Sequence, residues 1–166
     1  DLNMLKDALP YYVKALQFKS DYAEAYNNIG ATYENLGDKK KALNNYEKAI
    51  KIKPDYAEVY NNIGTLLNSL GRFDESLSNF NKAIKLKPNY EKTYNNLGNL
   101  LSNLGKHNEA TTAYLQAIKV KPDYAIAYSN LLFNLNYKID FDPELYLSIA
   151  KKFRLNCKLV NKNLNF

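Results

Sequence analysis

Asparagine recurs at Asn28, Asn62, Asn96 and Asn130, one every 34 residues. A primary amide carries N–H donors and a carbonyl acceptor on one short side chain, matching the C=O and N–H of an extended peptide. A row of amides can therefore hold a polypeptide by its backbone without reading its side chains. On a wheel of about 100° per residue, Asn35, Thr65, Asn99 and Asn103 fall on the same side as this row. These eight residues are the candidate site, and its expected occupant is a protein or peptide. Other chemistry has little to work with. His107 is the single histidine and Cys157 the single cysteine, and neither has a nucleophile, base or metal-ligand partner at a recognisable spacing. All six glycines have structural assignments, so none remains for a phosphate-cradling loop. No catalytic, cofactor-binding or metal-binding residue is expected in this chain.

The elements that position the row follow from the same period. The stretch from Pro54 to Lys87 recurs without insertion as Pro88 to Lys121, and upstream as Ser20 to Lys53. A fixed period of this length signals a stacked-repeat architecture. Within a unit, Tyr60, Ile63, Gly64 and Leu67 lie at i, i+3, i+4 and i+7, the apolar face of one helix. Gly71 ends that helix, and Ser76, Leu77, Phe80, Ala83 and Ile84 mark one side of a second. The unit is an α-hairpin and the fold class is all-α. Gly30, Gly64 and Gly98 are read as points of closest helix approach. Tyr26, Tyr60, Tyr94 and Tyr128 take a first-helix packing position, and Tyr22, Tyr56, Tyr90 and Tyr124 the turn between units. Opposite the apolar face lie Glu58, Asn62, Thr65 and Ser69; the preceding unit has Glu24, Asn28, Ala31 and Asn35, and the following one Lys92, Asn96, Asn99 and Asn103.

The net charge of +6 comes largely from lysines in repeating positions. Lys19, Lys53, Lys87 and Lys121 end second helices, where a cation complements the helix dipole. Lys48, Lys51, Lys82, Lys85 and Lys119 are read as a solvated outer surface. With no stacking-aromatic motif beside them, nucleic acid is not an expected partner. No run of 18 apolar residues and no signal-peptide core is present, so a membrane is not expected either. The lone cysteine and the lack of an Asn-x-Ser/Thr sequon suit a reducing, cytoplasmic setting.

The aromatic, apolar-Gly, small, aromatic, Ala and Pro positions of these units resemble the tetratricopeptide repeat. That resemblance implies an α-α superhelix of antiparallel hairpins whose first helices line a concave groove, with the amide row on its floor. The expected organisation is a truncated repeat's second helix at 1–19, repeats at 20–53, 54–87 and 88–121, the first helix of a degenerate repeat at 122–140, and an atypical capping or linker helix at 141–166. Pro10 suits the first helix best if that helix begins near Asp7. The stretches "AEVYNNIG", "KAIKLKP" and Ser129 to Tyr137, followed by Asp142-Pro143-Glu144-Leu145, also resemble the repeat region of O-linked N-acetylglucosamine transferases and SPINDLY-like relatives. There a similar asparagine ladder grips polypeptide substrates. The resemblance implies a non-catalytic, substrate-recruiting region of a larger glycosyltransferase-like protein, because the chain reaches Phe166 without a sugar-nucleotide site. The alternative is a free-standing scaffold for protein assembly. A lysine clamp for a C-terminal carboxylate is not supplied, since Asn27, Asn61 and Asn95 stand where it would need cations.

The fourth unit departs from the pattern. Leu132 replaces the close-approach glycine and Ile139 the helix-ending one, and Asp142-Pro143 reads as an N-cap with proline at the first helical position. On the side that carries the amide row, Ile126, Phe133 and Tyr137 flank Asn130. This apolar patch is expected to be covered, either by the helix after Pro143 or by a further domain.

Overall fold

The computed structural model describes residues 2–137 and 142–162, with side chains for 8–137 and 142–155. Ile139 lies outside the described residues, as do Asp1, Phe166 and the side chain of Cys157. The described residues form nine helices and no strand: α1 (Leu2–Phe18), α2 (Ala23–Asn35), α3 (Lys39–Ile52), α4 (Ala57–Ser69), α5 (Phe73–Leu86), α6 (Glu91–Asn103), α7 (His107–Val120), α8 (Ala125–Leu135) and α9 (Pro143–Lys162). The fold is an all-α array of consecutive helix hairpins, α2 with α3, α4 with α5, and α6 with α7. It divides into two compact units, residues 1–88 and 89–166.

In the first unit, α1 packs on α2, α3 on α4, and α2 on α4. Val59, Ile63, Leu66 and Leu67 of α4 share a core with Ala42, Tyr46 and Ala49 of α3. Complete burial of a side chain such as Leu66 contributes about 1.5–3 kcal/mol. The α4–α5 hairpin closes tightly because Gly64 has no side chain: a Cβ there would stand 2.7 Å from the Phe80 ring. Gly71, at φ 74°, turns the chain in the left-handed region that glycine adopts freely. Its N–H reaches Asn68 O and the Arg72 N–H reaches Leu67 O, both at 3.0 Å, which satisfies the last carbonyls of α4.

Of the two cases open for Pro10, a helix that starts near Asp7 and a proline inside the helix, the structure shows the second. Helix α1 begins at Leu2, so Pro10 is in its interior, where the ring removes one main-chain donor. Pro10 itself is exposed.

In the second unit, α7 and α9 both pack on α8. The core joins Leu101, Ala110 and Tyr114 to Tyr128, Leu131 and Leu135 of α8 and Ile149 of α9, with Leu145 and Phe153 against it. The Asp142 carboxylate accepts a hydrogen bond from the Leu145 N–H at 3.0 Å, capping α9. Helix α9 does not cover the apolar patch on α8. Ile126, Phe133 and Tyr137 are 55%, 62% and 56% exposed, while Phe153 of α9 stacks on Tyr128 with ring centroids 5.8 Å apart. Leu131 and Leu135 lie on the same stripe as Tyr128, at i+3 and i+7, and that stripe is the one buried with α9.

Candidate functional site

The amide positions sit on α2, α4, α6 and α8, on turns that alternate with the buried apolar positions. In the first unit Asn28 is exposed and Asn62 half-buried. Asn62 does not simply project outward. Its Nδ2 donates to Asn27 Oδ1 at 3.0 Å, and its own Oδ1 accepts from Asn61 Nδ2 at 3.4 Å. Asn35 turns back onto its own helix, donating to Ala31 O at 2.8 Å, and the exposed Thr65 hydroxyl donates to Asn61 O at 3.0 Å.

The second unit repeats the device. Asn130 Nδ2 donates to Asn95 Oδ1 at 3.0 Å and to Asn99 Oδ1 at 3.1 Å. Asn95 in turn donates to Asn96 Oδ1 at 3.5 Å. Asn99 Oδ1 also accepts from the Tyr114 hydroxyl at 2.9 Å, and burial pushes the Tyr114 phenol up to about 12, so it stays a donor across the ordinary pH range. Asn103 is exposed. Each unit therefore links one first helix to the next through an asparagine pair: Asn62 with Asn27, and Asn130 with Asn95.

Two features of this surface escape a reading by wheel alone. The first is the inner asparagine of each pair. Asn27, Asn61 and Asn95 are only 6%, 5% and 3% exposed, so a cation at these positions would be buried. The recurring Asn-Asn dipeptides are the available signal, since adjacent residues on a helix point about 100° apart and cannot both stand at the centre of one face. The second is a polar cluster in the second unit. Asn134 is fully buried, and its Nδ2 donates to His107 O at 2.8 Å and to Thr111 Oγ1 at 3.0 Å. Its Oδ1 lies 2.9 Å from His107 Nδ1. Because that oxygen can only accept, Nδ1 carries the proton. The His107 ring then stacks on Tyr137 with centroids 5.8 Å apart, and Tyr137 meets Phe133 at 5.1 Å.

The repeating lysines have partners beyond the helix dipole. Lys19, Lys53 and Lys121 stand over the rings of Tyr22, Tyr56 and Tyr124 at 5.4, 4.7 and 5.8 Å. Lys48 and Lys82, read from the sequence as solvated, sit over Tyr26 and Tyr60 at 5.6 and 4.4 Å. A cation over an aromatic face gains about 0.5–1 kcal/mol at an exposed site, so these lysines also tie second helices to first helices and turns. A cavity of about 180 Å³ opens elsewhere in the first unit, floored by Leu43, Ile50, Ile63 and Leu67, with Arg72 and Glu75 on its rim. None of the candidate residues lines it. Among the described residues no group of three or more His, Cys, Asp or Glu could hold a metal ion, and no helix is long and apolar enough to cross a membrane.

Comparison with known proteins gives the family. Two tetratricopeptide repeat family models match, one over residues 23–56 and the other over 55–123. No curated protein sequence matches. Among solved structures, that of MamA is similar at a TM-score of 0.75 and 23% identity, covering 98% of this chain and 92% of that one. YrrB, described as a TPR protein with an unusual peptide-binding site, matches at 0.68 and 27% identity over 93% of this chain and 78% of its own. An O-GlcNAc transferase mutant from Thermobaculum terrenum matches at 0.73 and 24% identity, over 79% of this chain and 25% of that chain. These fits are comparable, so structural likeness does not favour one of the three as a parent architecture. With hairpins of the required length, glycines at the helix crossings, and family matches running from residue 23 to 123, the chain belongs to the tetratricopeptide repeat family.

Proposed function

We propose that the chain is a non-catalytic binding module that holds extended polypeptide segments against the amide-bearing side of its first helices. The observation that carries the reading is the repeated orientation of the amides. Asn62 and Asn130 are each held by an asparagine of the preceding first helix, so these groups are set in place before a ligand arrives. Preorganised donors and acceptors lose less entropy on binding. An amide has two N–H groups and an oxygen with two lone pairs, so beside these bonds Asn62 keeps one N–H and one lone pair for a peptide, and Asn130, with both N–H groups engaged, keeps its oxygen. YrrB, with its peptide-binding site, is a relative in which the fold serves that use. We place this module, with repeats at 20–53, 54–87 and 88–121, in a cytoplasmic protein of the O-GlcNAc transferase type, where it would recruit substrates for a separate catalytic domain. The sequence resemblance carries that setting, and the Thermobaculum chain shares the fold. A second reading is a scaffold without a catalytic domain, since this chain spans 92% of the MamA chain and 78% of the YrrB chain.

The test uses peptides selected from a random-sequence display library on the full chain. Replacing Asn62 and Asn96 together by Ala removes up to four hydrogen bonds to a bound backbone. At about 0.5–1.5 kcal/mol each, with incomplete engagement, affinity should fall roughly thirty- to thousandfold, and equally for unrelated peptides. Calorimetric titration measures this, with thermal melts run beside it because Asn62 also bridges to Asn27. Unchanged affinity in the folded double variant would end the ladder reading, and a loss confined to one peptide would mean side-chain recognition. The gene sequence downstream of Phe166 separates the two settings: a nucleotide-sugar domain there supports the first.

A further inference from the structure

We infer that the exposed patch formed by Ile126 and Phe133 on α8 and Tyr137 just past its end is a specificity subsite that takes one uncharged aliphatic or aromatic side chain of a bound extended segment. The inference rests on the peptide-binding reading and adds to it what a row of amides lacks, a means of choosing sequence. Three observations support it. First, the patch and the amide row are one surface within the second unit. Asn130 lies between Ile126 and Phe133 on the helix, and its amide is fastened to Asn95 and Asn99. A segment that reaches Asn130 is therefore in reach of the patch.

Second, the patch stands at a register that is polar or small on the other first helices. The residues equivalent to Ile126 are Glu24, Glu58 and Lys92; those equivalent to Phe133 are Ala31, Thr65 and Asn99; those equivalent to Tyr137 are Asn35, Ser69 and Asn103. None of these is needed to fill the core, and Ile126, Phe133 and Tyr137 are each more than half exposed. Helix α8 carries no charged side chain at all, so an apolar group can dock on it without stripping water from an ion.

Third, the rings are held in place. Tyr137 lies between Phe133 and His107, at 5.1 and 5.8 Å. The imidazole is fixed from behind by its Nδ1–H bond to the fully buried Asn134. Rigid aromatic groups give large contact area at low entropic cost, which is the property of interface anchors. Aromatic faces and an aliphatic edge suit an aliphatic or aromatic side chain. The lack of a carboxylate on α8 argues against a lysine or arginine as the preferred guest.

The experiment selects a random twelve-residue peptide display library on the full chain and on the variant I126K/F133N/Y137N. That variant gives α8 the residues of α6 at the same register, Lys92, Asn99 and Asn103, so the helix accommodates them; thermal melts check the fold. Peptides enriched on the unaltered chain should share one position occupied by Leu, Ile, Met, Phe, Tyr or Trp. Changing that residue to Ser should weaken binding about 10–100-fold, the range expected for losing one buried apolar side chain. On the variant the enriched peptides should have no such position, and the Ser change should cost nothing. Leu147→Ser, an exposed apolar residue of α9, should leave the preference intact.

Enriched peptides that share no apolar position, or a Ser change that costs the same on both chains, would overturn the subsite and leave backbone binding standing. No enriched peptide, or binding indifferent to Asn62→Ala with Asn96→Ala, would overturn the peptide reading and this inference with it. Self-association of the chain in sedimentation, abolished in I126K/F133N/Y137N, would give the patch to a second copy and overturn the subsite.

Discussion

In residues 1–88, Leu66 is fully buried, Leu43 packs against the same cluster, and Lys39 extends its ammonium to Ser69 O at 3.1 Å. The equivalent residues two repeats later, in residues 89–166, are Asn134, Thr111 and His107. There the buried position is an amide with a partner for each of its polar atoms, and the residue at the helix start is an aromatic ring stacked on Tyr137. One backbone register thus carries an apolar core with an exposed cation in one unit and a closed polar cluster under an aromatic surface in the other. The difference shows that the repeat fixes where a side chain stands, while the set of neighbours decides whether its chemistry is tolerated. A buried amide is acceptable only in company: Asn134 arrives together with Thr111 and His107, and none of the three makes sense alone.

The comparison is most severely tested by moving one member without the others. Leu66→Asn puts the amide of the second unit into the first without its partners, losing a fully buried side chain and stranding polar atoms. The expected cost is about 3–5 kcal/mol, measured as a drop in urea midpoint; a cost below 1 kcal/mol would mean that the site is wetter than its burial indicates. The reverse change, Asn134→Leu, leaves His107 Nδ1–H without its acceptor, while the Thr111 hydroxyl keeps its bond to His107 O at 2.9 Å, and should cost about 1–3 kcal/mol. The triple variant H107K/T111L/N134L installs the complete set of the first unit and should recover most of that loss. If the triple variant melts no higher than Asn134→Leu alone, the cluster is not the closed unit described.

A smaller contrast separates the two asparagines of the first-unit row. Asn62→Ala leaves the buried Asn27 Oδ1 without its donor and should destabilise by about 0.5–1.5 kcal/mol. Asn28→Ala, at an exposed position, should fall within about 0.5 kcal/mol of zero. Equal effects in parallel melts would show that the Asn62–Asn27 bond contributes nothing to stability.

The smallest expected effect concerns acid. The side-chain bond from Lys41 holds the Asp38 carboxyl below its ordinary value, and that from Arg72 does the same for Glu75. A main-chain N–H, followed by Lys53, lowers Glu24. All three are in the first unit. Because the folded chain binds these protons less readily than the unfolded chain, the groups contribute stability above their ordinary carboxylate values. That contribution is lost as pH falls through the lower, folded values. All three groups are exposed and screened by water, so the decline should be slight and smaller still in K41A/R72A. Carboxyl carbon NMR titration checks it: each midpoint should lie lower in the folded chain than in urea, and equal midpoints would remove the effect.

The repeat, the hairpin, the glycine turns and the N-cap at Asp142 were all legible in the sequence, because each depends on residues within a few positions of one another. Gly71 needs only its own φ and the carbonyls just before it, and Tyr60, Ile63, Gly64 and Leu67 need only a helical wheel. The surface was legible in part. The period placed the asparagines on one side of the first helices, but whether a side chain lies free or fastened is set by residues 31 to 35 positions away, as with Asn130 to Asn99 and Asn62 to Asn27. Helix α8 makes the limit plain. It carries two apolar stripes, Tyr128 with Leu131 and Leu135, and Ile126 with Phe133, continued by Tyr137 past the helix end, and either could have been buried. Hydrophobic attraction has no direction, so composition could not choose between them. The choice was made where α9 came to rest, on Tyr128 and its neighbours, and that is a long-range packing outcome that only the tertiary structure decides.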